Sequence, residues 1–152
     1  MVDLSAYAGK SVQLRFWHWY DFRACTPNGI LCPAFVCSLD TSTYSGGRLD
    51  VFANGVWNEV DPVGGYGNGT QKISCSASDA ACTTCSLEGK KGFGGAGTES
   101  AWLQATYDVS AYVGASFRFR FRFASHDAYG CYPKTSGWYV DDIEVTTPGQ
   151  CM

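Results

Sequence analysis

Long apolar runs are missing from this 152-residue chain. No stretch approaches the roughly 20 residues that a membrane-crossing helix needs, so no membrane insertion is expected. A basic excess is missing too: Lys and Arg number 11 against 14 Asp and Glu, giving a formal net charge of −3. That balance excludes the basic stripe of a dedicated nucleic-acid binder. Histidine is scarce, with only His18 and His126. The GxSxG, HExxH and P-loop signatures do not occur. No complete Ser/His/Asp or Cys/His set emerges, and the candidate carboxylate pairs for glycoside hydrolysis, Asp141/Asp142 and Asp50/Glu59, carry no separation information. The chain is expected not to be an enzyme. Windows dominated by Leu, Glu, Lys and Ala are also absent, which argues against long helices.

What is abundant points the other way. Eighteen Gly, nine Phe, nine Tyr, five Trp and eight Cys fall as aromatic and β-branched runs broken by Gly, Asn, Asp and Ser. Short strands joined by tight turns have this composition. One all-β sandwich domain spanning residues 1–152 is expected. Cys25, Cys32, Cys37, Cys75, Cys82, Cys85, Cys131 and Cys151 form an even set, rich for a reducing compartment, and are expected to form disulfides whose connectivity stays open. The competing reading is zinc at Cys82-Thr83-Thr84-Cys85, but there is one CxxC and neither histidine stands at ligand spacing. An extracellular or cell-surface setting follows from the disulfides. Asn68-Gly69-Thr70 is a glycan acceptor only in a eukaryotic secretory setting. Met1 leads straight into Asp3-Leu4-Ser5 without a leader pattern, so the chain is expected to be an excised piece.

A short internal repeat organises the sequence. Residues 3–16, DLSAYAGKSVQLRF, match 108–121, DVSAYVGASFRFRF, at eight of fourteen positions. Each copy is a polar turn followed by a strand of alternating character. Alternation puts Val12, Leu14, Phe16 and His18 on one face of the first strand, and Gln13, Arg15, Trp17 and Trp19 on the other. In the second, Phe117, Phe119, Phe121 and Phe123 oppose Arg118, Arg120 and Arg122. A common strand-entry motif explains the match without an ancient duplication, and two copies do not make a solenoid. Further strands are expected at 48–53, with Leu49 and Val51 inward, at 56–60 after the hairpin turn Asn54-Gly55, at 101–107 and at 137–146. Residues 23–44 and 61–98 read as long Cys-rich loops.

The strings FWHWYDF (16–22), GGRLDVFANGVWNEV (46–60), YDVSAYVGASFRFRFRFAS (107–125) and GWYVDDIEV (137–145) resemble, in this order, the MAM-like jelly-roll domains of bacterial secreted proteins, including those appended to immune-inhibitor-A-type metalloproteases. The resemblance covers most of the chain outside the Cys-rich loops. It implies an antiparallel jelly-roll-type β-sandwich acting as an accessory module, and a structural Ca²⁺ near one end. The sequence departs from the family at Arg23, where an acid is common, and at Ser45, where Asp is frequent. The family usually has a further stretch before the DLS segment. Its lack is expected to leave a sheet edge for the parent protein or a neighbouring subunit to close.

Counting back from Ile143 and Val145 as core residues turns Tyr139 and Asp141 inward. Asp142 and Glu144 then point outward, opposite the arginine row if this strand pairs with 116–124. An inward Asp141 needs a partner. Calcium, drawing on Asp21, Asp127, Asp141 and Asp142, is the metal-site expectation. His18 is expected to be a core histidine. Trp57, Tyr129, Tyr132 and Trp138, in turns or at strand ends, are the expected ligand-binding aromatics, whereas Trp17 and Trp19 are expected to be covered by loops. The expected function is a non-catalytic module for adhesion or for carbohydrate or protein recognition. The alternatives are a structural subunit of an extracellular assembly or filament, and an accessory domain of a secreted protease or hydrolase.

Overall fold

The computed structural model describes residues 1–22, 42–43, 45–67, 72–73, 87, 89–94, 101–125 and 137–148. All eight cysteines, His126, Asp127, Tyr129 and Tyr132 lie outside the described residues. The strands are β1 (Gln13–Asp21), β2 (Ser42–Thr43), β3 (Ser45–Ala53), β4 (Val56–Glu59), β5 (Lys72–Ile73), β6 (Phe93–Gly94), β7 (Leu103–Asp108), β8 (Arg118–Ser125) and β9 (Gly137–Thr146). An antiparallel sheet of order β7-β1-β9 faces a second antiparallel sheet. In the second, β3 has β4 and β6 along one edge and β8 along the other; β2 and β5 form a separate two-stranded parallel sheet. The β3–β4 hairpin turns at Asn54 (φ 53°) and Gly55 (φ 81°), the left-handed pair that the strand twist demands. Among the described residues no helix is long and apolar enough to cross a membrane.

The repeated sequence builds a repeated structure. Asp3 Oδ1 accepts from the N–H and hydroxyl of Ser5, and Asp108 Oδ1 does the same for Ser110. These bonds hold both carboxyls below their usual range. Each closes a 3₁₀ turn, Ser5–Tyr7 or Ser110–Tyr112, and buries the apolar residue at its start, Leu4 or Val109. The strands that follow, β1 and β8, lie in opposite sheets. Their equivalent residues Phe16 and Phe121 meet edge to face at 5.0 Å across the core. Leu14, Phe16, Leu49, Val51, Tyr107 and Phe117 are buried around them, each worth about 1.5–3 kcal/mol relative to exposure.

Two expectations are corrected. The last strand, β9, pairs with β1, not with β8, and the arginine row of β8 lies beside β3. The inward face of β9 is also different. Arg15 stands opposite Glu144 but Trp17 stands opposite Asp141, so Asp142 and Ile143 together oppose Phe16. Asp142 adopts φ 48° at this bulge, and its N–H is held by Asp141 Oδ1 at 2.8 Å. One extra residue exchanges the faces of everything beyond it. Val145 stays inward opposite Leu14, but Trp138 and Val140 turn inward opposite Tyr20 and His18. Tyr139 and Asp141 are therefore exposed.

His18 is buried among Phe16, Tyr20, Phe93 and Trp138, and its Nδ1 accepts the Trp138 indole N–H at 3.3 Å. Burial pushes its pKa down to about 4 from 6.5. The unfolded chain therefore binds the extra proton first as pH falls, so stability is full above pH 6.5 and drains as pH drops toward 4. Replacing His18 with Gln, which keeps an acceptor for Trp138, is expected to flatten this dependence. Urea unfolding should show the native chain losing on the order of 2 kcal/mol between pH 7 and pH 5, with most of that slope absent from the variant.

Trp138 also explains Gly47. A Cβ at position 47 overlaps the six-membered ring of Trp138, which is wedged against Phe22, Phe93 and Phe121. Gly47→Ala is expected to cost about 3 kcal/mol in urea unfolding through overpacking. Adding Trp138→Phe should recover part of that loss, and a strictly additive double mutant would contradict the steric account.

Candidate functional site

The two sheets present different outer faces. On the second sheet, Arg48 and Asp50 of β3 point away from the core yet are 2% and 1% exposed. Asp50 Oδ2 accepts from Arg120 at 2.9 and 3.1 Å and from Arg122 at 3.3 Å, and its Oδ1 lies 3.3 Å from Arg48 Nε. Arg48 also donates to the Lys91 carbonyl at 3.1 Å and reaches Glu59 and Asp61 at 3.6 and 3.8 Å. Lys90, hydrogen-bonded to Glu59, holds that carboxyl below its usual range, with Arg48 adding to the effect. Farther along, Arg118 stacks on Phe52 and Arg120 on Trp57, each guanidinium 4.1 Å from the ring centroid. The arginine row is thus tied to carboxylates and rings of its own sheet. A shallow polar groove bounded by Arg48, Glu59, Asp61, Lys90, Asp108 and Tyr112 opens at the edge of this network. Its charges are largely compensated within the fold.

The outer face of the β7-β1-β9 sheet is of another kind. An antiparallel sheet with one solvated face normally presents polar residues there. Here the central strand carries Trp17, 40% exposed, with Trp19 two residues on, about 7 Å farther along the strand. Trp19 meets Tyr139 of β9 at 5.6 Å, and Tyr139 is 53% exposed. Trp17 is flanked by Gln104 of β7 and Asp141 of β9. Arg15, braced by Gln13 at 2.6 Å and near Glu144 at 3.9 Å, closes one end, and Trp102, 45% exposed, precedes β7. The result is an aromatic strip bordered by planar polar groups on a rigid sheet.

The expected ligand-binding residues divide accordingly. Trp138 is a core residue, turned inward by the bulge. Trp57 is 39% exposed and lies under Arg120. Tyr129 and Tyr132 lie outside the described residues. Trp17, Trp19 and Tyr139, which form the strip, were not among the expected ligand-binding aromatics. Alternation had already set both tryptophans on the face opposite the core, and that was the available signal.

The expected metal ligands do not converge. Asp21 is buried at the end of β1 opposite Gly137, whereas Asp141 is exposed opposite Trp17. Four residues of strand, about 13 Å, separate the two positions. Asp142 is exposed at the bulge, and Asp127 lies outside the described residues. No group of three or more His, Cys, Asp or Glu fit to hold a metal occurs among the described residues. A calcium centre would need other ligands from beyond them.

Asp50 is a buried carboxylate shared by three guanidinium groups, those of Arg48, Arg120 and Arg122. Asp50→Asn keeps the shape and removes the charge, so it should cost about 3–5 kcal/mol in urea unfolding. A loss below about 1 kcal/mol would mean that the arginines are neutralised elsewhere.

Compared with known families and with curated proteins, the chain matches no family model and no curated sequence.

Proposed function

We propose that this chain is a non-catalytic, extracellular recognition module of MAM-like jelly-roll type, binding carbohydrate through the outer face of the β7-β1-β9 sheet. The observation that carries this reading is the exposure of Trp17 in the middle of the central strand, on the same face as Trp19 and the exposed ring of Tyr139 that Trp19 meets. Aromatic faces receive the C–H faces of a sugar ring, while amide and carboxylate groups such as Gln104 and Asp141 meet its hydroxyls. A flat strip on a sheet suits an extended chain of sugars better than a single buried one. The non-catalytic part is supported by His18, one of only two histidines, being enclosed by rings and neutral. The cysteine content supports the extracellular setting.

A glycan array followed by affinity electrophoresis on soluble polysaccharides tests the reading. Trp17→Ala and Tyr139→Ala are expected to weaken binding at least tenfold, as truncation of aromatic anchors does, with unfolding midpoints little changed because both rings are exposed. Trp57→Ala is expected to leave binding intact. Retention of a protein ligand with no glycan bound would move the proposal to protein recognition, and release of reducing ends would contradict its non-catalytic part.

A further inference from the structure

Resting on the carbohydrate reading above, we infer that the aromatic strip of the β7-β1-β9 sheet selects glycans bearing free amino groups, such as chains of glucosamine, over neutral and acidic ones. The charge of that outer face is one-sided. Pairing across the sheet sets Gln104 and Asp141 on either side of Trp17, Thr106 and Glu144 on either side of Arg15, and Asp108 beside Gln13. Asp142, exposed at the bulge, adds a further carboxylate. Among the described residues at these positions Arg15 is the one cation, and it is already held by Gln13 at 2.6 and 3.1 Å and by Glu144 at 3.9 Å. Asp108 is engaged in turn by Ser110. Asp141 spends Oδ1 on the Asp142 N–H at 2.8 Å and holds its second oxygen at an exposed position beside Trp17. The contrast with the other sheet is direct, because there the carboxylate of Asp50 meets guanidinium groups of its own fold.

The backbone does not demand this charge. Asn enters the left-handed region, where Asp142 has φ 48°, as readily as Asp does. An amide oxygen at position 141 would serve the Asp142 N–H equally well. The bulge thus accounts for the positions of the two acids and leaves the charge beside Trp17 to be explained by what the face meets.

Geometry couples that charge to the rings. Residues directly opposite on neighbouring strands have Cβ atoms about 5 Å apart, so Asp141 stands next to the Trp17 side chain. A sugar stacked on Trp17 turns its equatorial groups outward, toward Asp141 on one side and Gln104 on the other. A hydroxyl there gains an ordinary hydrogen bond. An ammonium gains a charge-assisted bond to the carboxylate and attraction to the indole face. A sulfate or uronate meets repulsion. Each gain is small at an exposed site, and a chain of sugars spanning Trp17 and the Trp19–Tyr139 pair combines them.

Titration calorimetry of the intact chain with a glucosamine hexamer and an N-acetylglucosamine hexamer, near pH 6, tests the selection. The glucosamine hexamer should bind about fivefold more tightly or better. The preference should shrink with added salt and vanish near pH 9, where the sugar amines are uncharged. Asp141→Asn, which keeps an acceptor for the Asp142 N–H, should narrow the preference to about twofold at an unaltered unfolding midpoint. Trp17→Ala should weaken both hexamers. Equal or tighter binding of the N-acetylated hexamer, still lost in Trp17→Ala, overturns the amine preference and leaves the carbohydrate reading standing. A preference untouched by Asp141→Asn also overturns it. Binding of neither hexamer, with no other glycan bound, overturns the carbohydrate reading and the selection together. Hexalysine bound as tightly as the glucosamine hexamer, and indifferently to Trp17→Ala, assigns the acids to basic peptides and overturns the selection of a sugar.

Discussion

The contact between Phe16 and Phe121 is the centre about which the molecule is arranged. The two rings are the same position of a repeated segment, and they meet edge to face because each strand leaves an identical Asp–Ser turn into the opposite sheet. That single relation sets which side of β1 and of β8 is core. It therefore sets the inward direction of Leu14, His18, Phe117 and Phe119 without further instruction. The turns contribute by burying Leu4 and Val109 at the strand entries, and Ser110 ties the second turn back to Val12 beside the first strand. The two copies are not interchangeable: Gly9 in the first takes φ 77°, and their flanking strands are paired to different extents.

Alternation made one half of each strand apolar, and the opposite half had to be managed differently in each sheet. On β3 the outer charged residues Arg48 and Asp50 have been drawn out of water, against the partly exposed arginines of β8. A buried ion set of this kind contributes little net stability over an apolar replacement, but it is costly to break, so it fixes register more than it adds strength. Slipping β8 by one residue against β3 would put Arg120 into the core and Phe121 over Asp50. The outer positions of β1 and β9 include rings, those of Trp17 and Tyr139, that remain in contact with water. One sheet's outer face is thus occupied by its own chemistry, and the other leaves Trp17 and Tyr139 exposed.

Much of this was legible in the residues. The faces of the two repeated strands, the Asn54-Gly55 hairpin and the core placement of His18 follow from a period of two and from turn chemistry, which are local. Pairing is not local. Nothing in GWYVDDIEV specifies that it lies against FWHWYD instead of against the arginine strand, and opposite charges suggested the wrong neighbour. The short strands Ser42–Thr43, Lys72–Ile73 and Phe93–Gly94 carry too few residues to show a period, and they were read as loop. The aromatic strip was visible in part, because Trp17 and Trp19 fall on the outer face by alternation. What sequence could not supply was whether that face was covered.

The bulge at Asp142 joins these threads, because it composes the candidate binding face. With an unbroken period through β9, Ile143 and Val145 inward would have carried Asp141 and Tyr139 into the core. Trp138 would then have been left outside. Asp is one of the few residues that tolerates the left-handed backbone that a bulge of this kind requires, and Asp141 holds the turn by accepting the Asp142 N–H. The doubled aspartate is therefore a backbone device before it is a pair of charges. It turns Trp138 inward to cap His18 and fill the space that Gly47 leaves open. By the same step it sets Tyr139 against Trp19 and Asp141 beside Trp17. Core packing and surface chemistry at this end of the sheet are thus two consequences of one inserted residue.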